Sequence, residues 1–406
     1  MSALIRLAWR YLWAQPLTAS LNLLLLSLGL AAISFVLLVS EQIEAGVRRD
    51  LAGIDLVVGA KGSPMQIMLS GVFHLDVPTG NIPLSTLKTL RAQPLVARAV
   101  PLSLGDSLRG FRIVGTEASY LALYGASLAQ GQLWRAPLQA VLGAEVAQRT
   151  GLALGAQFAG SHGLGEQGDA HEGEAYTVAG ILKPTGTVID RLVLTDLASV
   201  WQLHEAHHGS AANTALEEEV EEMERREITL ILLSYRSPLA AISLPRWVNA
   251  QAGLQAAAPA LETARLLRLV GTGTDVLRGF AVVLLLAAGL SVWVALLNAV
   301  RARQADLAMM RMLGAPPWRV AALVGLEAAI LAALACVIGL ALGHGLCAVL
   351  GQLLADRQSL RLTGAWFSLW ELSLPLLAAS LALLASAWPA WRAYRLDVSD
   401  LLQAPR

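Results

Sequence analysis

Four stretches without a charged residue set the limits on how this chain can fold. The first lies between Arg10 and Glu41, with its apolar heart at Leu17–Val39. The others are Gly279–Val300, Ala328–Ala355 and Leu372–Trp391. A helix needs about 20 residues to cross the hydrocarbon of a bilayer, and each stretch is long enough. Composition agrees: 15% of the residues are charged, 55% are hydrophobic and the mean hydropathy is +0.56, whereas soluble domains carry about 25% charged residues. The first stretch is too long for the hydrophobic region of a signal peptide, which runs about 7–15 residues. No small-x-small cleavage site follows it, so a retained anchor is expected.

Orientation follows from where arginine flanks the spans. Arg6 and Arg10 precede the first. Arg301, Arg303, Arg311 and Arg319 separate the second from the third, and Arg392, Arg395 and Arg406 follow the fourth. Only Arg357 and Arg361 lie between the third and fourth. Both termini and the 301–319 loop are therefore expected in the cytoplasm. Trp9, Trp13, Trp318, Trp388 and Trp391 then mark the inner interface, with Trp366 and Trp370 at the outer one. The expected division is 1–40 for the N-terminus and first span, 41–278 for a large external domain, 279–300 for the second span and 301–319 for a cytoplasmic loop. It continues with 320–354 for the third span, 355–371 for an external loop, 372–391 for the fourth span and 392–406 for a cytoplasmic tail. The fold class expected is an α-helical membrane protein with four transmembrane helices (1+3) plus a large mixed α/β (α+β) domain outside the cytoplasm.

Two function classes are excluded early. Thirty basic and thirty acidic residues cancel, so no net field draws the chain to nucleic acid. A phosphate-binding P-loop needs Gly-Lys-Ser/Thr, and none of the three lysines (Lys61, Lys88, Lys183) follows a glycine. The cysteines, Cys336 and Cys347, share one predicted helix and lie ~16 Å apart along its axis, too far for a disulfide.

In the external domain Ile54–Val58, Arg112–Gly115, Tyr176–Ile181 and Ile228–Leu233 read as strands. Ala140–Thr150, stopped by Gly151, and Leu197–His208 read as helices. The segment 160–173 is a glycine-rich polar loop. Thr214 and Glu217 form a capping box ahead of an acidic helix over Glu217–Glu227. Asp55–Ile82 shows no clean period: it lies against the membrane surface or is an irregular lead into the domain. Five of the seven histidines (His162, His171, His204, His207 and His208) fall close together. Imidazole is a common metal ligand, so zinc or another transition metal is one expectation and a solvated polar loop the other. His204–His208 also spells HExxH, in which Glu205 is the base of a metallopeptidase, but no third ligand is identified. His74 and His344 are isolated and read as structural.

The loop after the second span begins charged and amphipathic, then turns at Gly314-Ala315-Pro316-Pro317. Such a segment fits a partner's groove or the membrane surface. Its order of Arg303, Asp306, Leu307, Arg311, Leu313, Gly314 and Ala315 resembles the signature of the FtsX/MacB-type ABC permeases, a family that includes LolC/LolE-like relatives. Glu327 stands where that family has a glutamate in the third span. Asp306 stands where Glu is more usual. Trp388–Gln403 resembles the family's closing segment, with Val398 where Pro is usual, and Ile5–Ala31 its opening helix. Leu142–Phe158 and Gly186–Leu203 resemble parts of its periplasmic core domain.

The resemblance implies a permease subunit in a bacterial inner membrane, a homodimer or a heterodimer with a related permease. Each copy binds a cytoplasmic ABC ATPase, which holds the ATP, and no cofactor is expected in this chain. ATP-driven motion passes through the spans to the periplasmic domains, for export or for lipoprotein, lipid or other periplasmic substrate handling. Regulation of a periplasmic protein partner, such as a cell-wall hydrolase, is the alternative. Arg303, Asp306 and Arg311 are expected to make charged contacts with the ATPase, with Leu307, Met310 and Leu313 as an apolar face and Gly314 and Ala315 as the turn. Glu327 is expected to pair with a cytoplasmic-side arginine, because an unpaired carboxylate in hydrocarbon costs about 2–4 kcal/mol.

Overall fold

The computed structural model describes residues 2–162, 175–207, 226–355 and 362–395. The chain divides into two compact units, Met1–Glu44 with Leu269–Arg406, and Ala45–Arg268. Both divisions fall inside long helices rather than in linkers. Helix α1 covers Ser2–Leu12 and α2 Pro16–Asp50. Pro16 opens α2 at a position where a missing N–H costs nothing. The helix runs past residue 40 because Glu41–Asp50 is polar but rich in helix formers.

The second unit is a mixed α/β domain. Strand β1 is Leu56–Ala60, followed by α3 over Pro64–Gly71, whose N-cap is Ser63. Within Asp55–Ile82, strand β1 and helix α3 account for about half of the expected irregular stretch, and 72–81 remains irregular. Strand β2 is Ile82–Pro83, α4 Ser85–Arg91, β3 Val96–Leu108 and β4 Phe111–Thr116. Next come α5 Ala118–Leu123, β5 Leu128–Gly131, β6 Gln139–Leu142 and α6 Ala144–Thr150. The expected helix over Ala140–Thr150 is therefore a strand and a helix joined at Gly143. A Cβ there would lie 2.4 Å from the Asp190 carbonyl oxygen, so only glycine fits. Gly151 caps α6 with φ +71°.

Strands β7 Gln157–Phe158, β8 Ser161–His162, β9 Tyr176–Leu182 and β10 Val193–Asp196 lead to α7, Leu197–His207. The expected capping box and all but the last two residues of the acidic run lie outside the described residues. The last of them, Glu227, is in strand β11 (Glu227–Ile228) rather than a helix. Strand β12 (Leu230–Tyr235), α8 (Ala240–Asn249) and β13 (Leu254–Ala257) complete the domain. The main sheet runs β13-β1-β12-β3-β4-β10-β6-β9-β5, with β7 on β9 and β8 on β3. The pairs β10–β4 and β6–β9 are parallel and the other pairs antiparallel. Apolar clusters cover the sheet, one around Leu102, Val114 and Leu230, another around Val58, Ile231 and Leu244.

The chain returns through α9, Pro259–Ala302, which begins twenty residues before the expected span. Helix α10 covers Gln304–Met312, α11 Pro317–Ala355 and α12 Ser373–Tyr394, the last preceded by a 3₁₀ turn at Leu369–Leu372. Four helices are long and apolar enough to cross a membrane. Helices α2 and α11 approach closely at Gly339 and Gly343, a small-xxx-small pair. A Cβ on Gly339 would fall 2.8 Å from Leu30 Cβ, and one on Gly343 2.7 Å from Ser34 Oγ. Cys336 and Cys347 are buried and unpaired.

Candidate coupling site

The turn between α9 and α11 is built from local rules. Helix α9 stops at Ala302, and Arg303 leaves the helical region (φ −109°, ψ 16°) before α10 resumes. The Leu307 N–H donates to the Arg303 carbonyl at 3.0 Å, so the new helix starts at once. Asp306 lies in its first turn, where a negative charge suits the helix dipole. At the other end the Ala315 N–H donates to the Met310 carbonyl and the Gly314 N–H to that of Arg311. This is a Schellman closure, and Gly314 supplies the left-handed residue it needs, φ +94°. Pro316 and Pro317 then block continuation, and Pro317 opens α11.

The structure sorts the expected site residues into two sets. Asp306, Leu313 and Gly314 are exposed, Leu313 at 84%, and Met309 and Met312 share that exposure. Arg311 and Ala315 are half-buried. Leu307 is buried in the core of the bundle, and Met310 packs against the same core. The outward apolar face is therefore Met309, Met312 and Leu313. The expectation of Leu307 and Met310 there fails because that face of α10 packs against the core, burying Leu307 and Ala308 with Met310 beside them. Met309 and Met312 follow from the same periodicity, shifted by one position.

Arg303 also turns inward, rather than toward a partner. Its Nη1 donates to Glu327 Oε1 at 2.9 Å and its Nη2 to the Tyr11 carbonyl at 2.6 Å. Its guanidinium lies over the Tyr11 ring, 4.3 Å from the centroid. The side chains of Arg303 and Glu327 are 14% and 6% exposed. This node joins α1, the α9–α10 turn and α11, and a cleft beside it is lined by Gln15, Thr18 and Asn22. Removing one partner of such a buried pair costs about 3–5 kcal/mol, since the other charge is stranded.

At the far end of the bundle Glu371 accepts from Ser34 Oγ at 2.7 Å and from the Ser368 N–H at 3.2 Å. His344 Nε2 lies 3.1 Å from the same carboxylate, and its Nδ1 donates to the Gly364 carbonyl at 2.7 Å. Gln42 makes two bonds to the backbone of Thr363. Sequence reading gave no sign of this network, because its members are single polar residues spread over three helices and a loop.

In the domain, Asp50 at the end of α2 accepts the Val188 N–H at 2.7 Å. Val188 belongs to the loop Thr185–Arg191, which the buried Asp190 carboxylate organises by accepting from the Thr185 and Gly186 N–H groups. His74 is buried with a positive φ of 56°, its Nε2 3.2 Å from the Tyr120 hydroxyl. Burial, reinforced by the charges of Arg112 and Arg191, holds it well below the ordinary imidazole range. Burial likewise lowers Arg112 to about 10, against the opposing pull of Asp76.

Among the described residues no cluster of three metal-ligating side chains exists. Of the histidine group, His171 and His208 lie outside the described residues. His162 and His204 and His207 are placed only by backbone, in β8 and α7.

The profile of the MacB-like periplasmic core domain matches residues 19–237. That of the FtsX-like permease C-terminal region matches 278–398. The chain belongs to the FtsX/MacB-type permease family. Permeases of this family are membrane components of ABC transporters and work with cytoplasmic ABC ATPases, so ATP hydrolysis lies in a separate subunit. The four apolar helices and the MacB-like core fit an inner-membrane protein with a periplasmic domain. No curated protein matches the chain. Among solved structures, the periplasmic region of MacB from Actinobacillus actinomycetemcomitans matches with a TM-score of 0.35 and 15% identity, over 54% of this chain and 95% of that one. The extracellular domain of the noncanonic ABC-type transporter YknZ from Gram-positive bacteria matches with a TM-score of 0.30 and 11% identity, over 50% and 98%.

Proposed function

We propose that this FtsX/MacB-type permease transmits ATP-driven motion from a cytoplasmic ATPase to its periplasmic domain, in export or in lipoprotein, lipid or other periplasmic substrate handling. Both termini and the α9–α11 turn face the cytoplasm. It works as a dimer, with itself or with a related permease, because one ATPase pair needs two docking turns.

The observation that carries this reading is continuity. Helix α9 runs unbroken from Pro259 to Ala302 and gives directly onto the docking turn. Helix α2 runs from Pro16 to Asp50, where the Asp50–Val188 bond fastens it to the domain's Thr185–Arg191 loop. At 1.5 Å per residue these helices are ~50–65 Å long, and their unbroken backbone is the path along which we infer the motion passes. Asp306 with Met309, Met312 and Leu313 presents a charged and apolar face for the ATPase groove. The test is Asp50→Ala in the complex reconstituted with its ATPase. It should leave ATPase binding intact while weakening the effect of ATP on protease protection of the domain. Equal protection in both proteins would end the transmission reading.

A further inference from the structure

Helix α1 divides into three sectors. Ala8, with Leu4, Leu7 and Tyr11, packs against the bundle, and Ala8 is 0% exposed. Ile5, Trp9 and Trp13, spaced four apart, form an exposed apolar stripe along the next sector. Arg6 and Arg10 are exposed on the third. Trp9 and Trp13 pack edge to face with ring centroids 5.9 Å apart, which stiffens the stripe. The chain then turns at residues 13–15 before α2 begins, so α1 is a separate helix rather than the start of a span. One sector on protein, one apolar with two tryptophans and one basic is the pattern of a helix lying in the membrane interface.

Helix α1 is not held by its surface alone. Its C-terminal carbonyl at Tyr11 receives the Arg303 guanidinium, which also covers the Tyr11 ring. Arg303 is the residue that separates α9 from α10. A force on α1 therefore arrives at the first residue of the docking turn.

We propose that α1 is a binding surface for anionic phospholipid headgroups of the cytoplasmic leaflet, and that the Tyr11–Arg303 contact passes lipid occupancy to α10. The chemistry selects an anionic lipid: two guanidiniums lie beside an apolar stripe that seats at the acyl boundary, and no carboxylate stands on α1. Each arginine contributes roughly fivefold to the preference for an anionic over a zwitterionic surface. The proposal rests on the cytoplasmic orientation of the N-terminus. Ala3→Cys tests that separately: a membrane-impermeant maleimide should label it in inverted vesicles and not in right-side-out ones.

The full chain is placed in nanodiscs of phosphatidylcholine with increasing phosphatidylglycerol, and two quantities are read. Native mass spectrometry of protein released from mixed discs should show phosphatidylglycerol retained in preference by the wild type. That preference should fall by about 25-fold in Arg6→Gln/Arg10→Gln and return in Arg6→Lys/Arg10→Lys. Hydrogen exchange of the amides of residues 305–313 should slow in the wild type as phosphatidylglycerol rises. Equal lipid retention by the wild type and the Gln pair overturns the binding surface. Exchange in α10 that ignores lipid composition in the wild type overturns the link to the docking turn, and that measurement needs no variant to fold.

Discussion

The two ends of α11 are held by different chemistry. Near its start a single charged pair, Glu327 with Arg303, gathers α1, the α9–α10 turn and α11 into one contact. Near its other end Glu371, His344, Ser34, Gln42 and Thr363 share several neutral and charged bonds among α2, α11, the loop over 362–368 and the 3₁₀ turn Leu369–Leu372. In hydrocarbon every polar group must find its partner inside the protein, so neither node is incidental. The difference lies in redundancy. The outer network keeps partners when one bond breaks, whereas the inner node depends on one guanidinium. The two ends of α11 thus differ in how many partners remain when one contact is lost.

The largest effect should come from breaking the inner node. Glu327→Ala strands Arg303 and should cost about 3–5 kcal/mol, read as lost thermal stability of the detergent-solubilised protein. Glu327→Gln keeps one hydrogen bond and should cost less. The matching cut at the outer end is Glu371→Ala. It leaves the Ser34 and Ser368 donors without their acceptor at about 1–3 kcal/mol each if buried, but Ser34 can turn to its own helix carbonyls, so the sum should stay below the loss at Glu327. If Glu371→Ala proves the more damaging, the contrast in redundancy is wrong.

A packing change sharpens the comparison midway along the helix. Gly339→Ala sets a methyl 2.8 Å from Leu30 Cβ and 2.9 Å from the Ser27 carbonyl oxygen. Overpacking of this kind costs about 1–3 kcal/mol, and the melting temperature should fall accordingly. Half-buried Gly325, with nothing within 4 Å of its added Cβ, should accept the same change without loss.

The smallest effect lies in the other unit and depends on pH. His74 is neutral in the folded domain, its pKa lowered well below the ordinary value by burial, Arg112 and Arg191. The unfolded chain binds a proton there near pH 6.5, so it carries more protons than the native state below that point. Stability should be full above about pH 6.5 and fall with acidification toward the lowered folded value, by up to about 1.4 kcal/mol per pH unit. His74→Asn tolerates the positive φ and should flatten this slope in the pH dependence of unfolding.

The membrane half of this molecule was legible because a span is a composition, not a fold: twenty residues without charge suffice. The helix ends were not legible. Helices α2 and α9 continue into polar sequence whose residues favour helix as much as loop. Strand β3 is hidden by Pro101 and Gly105, both poor strand residues. Tertiary pairing overrides them, with Pro101 opposite Ile231 and the register shifting between Leu104 and Ser107. At the α9–α11 turn the order of residue types pointed to the candidate site, and Gly314 marks its bend. The same order could not say that Arg303 and Leu307 face inward, since one helical turn decides that face. The outer network left no local pattern to find, because Ser34 and Glu371 are 337 positions apart.

The central claim is that the α9–α11 turn docks a cytoplasmic ATPase through its exposed face. The most direct test is a mild-detergent pull-down of the tagged chain from its native membrane, wild type beside Asp306→Arg/Met309→Asp, with mass spectrometry and a vanadate-sensitive ATPase assay. The account predicts a stoichiometric ABC ATPase with turnover on the wild type. It predicts the loss of both on the variant, at equal membrane insertion. An ATPase retained equally by the variant would contradict it.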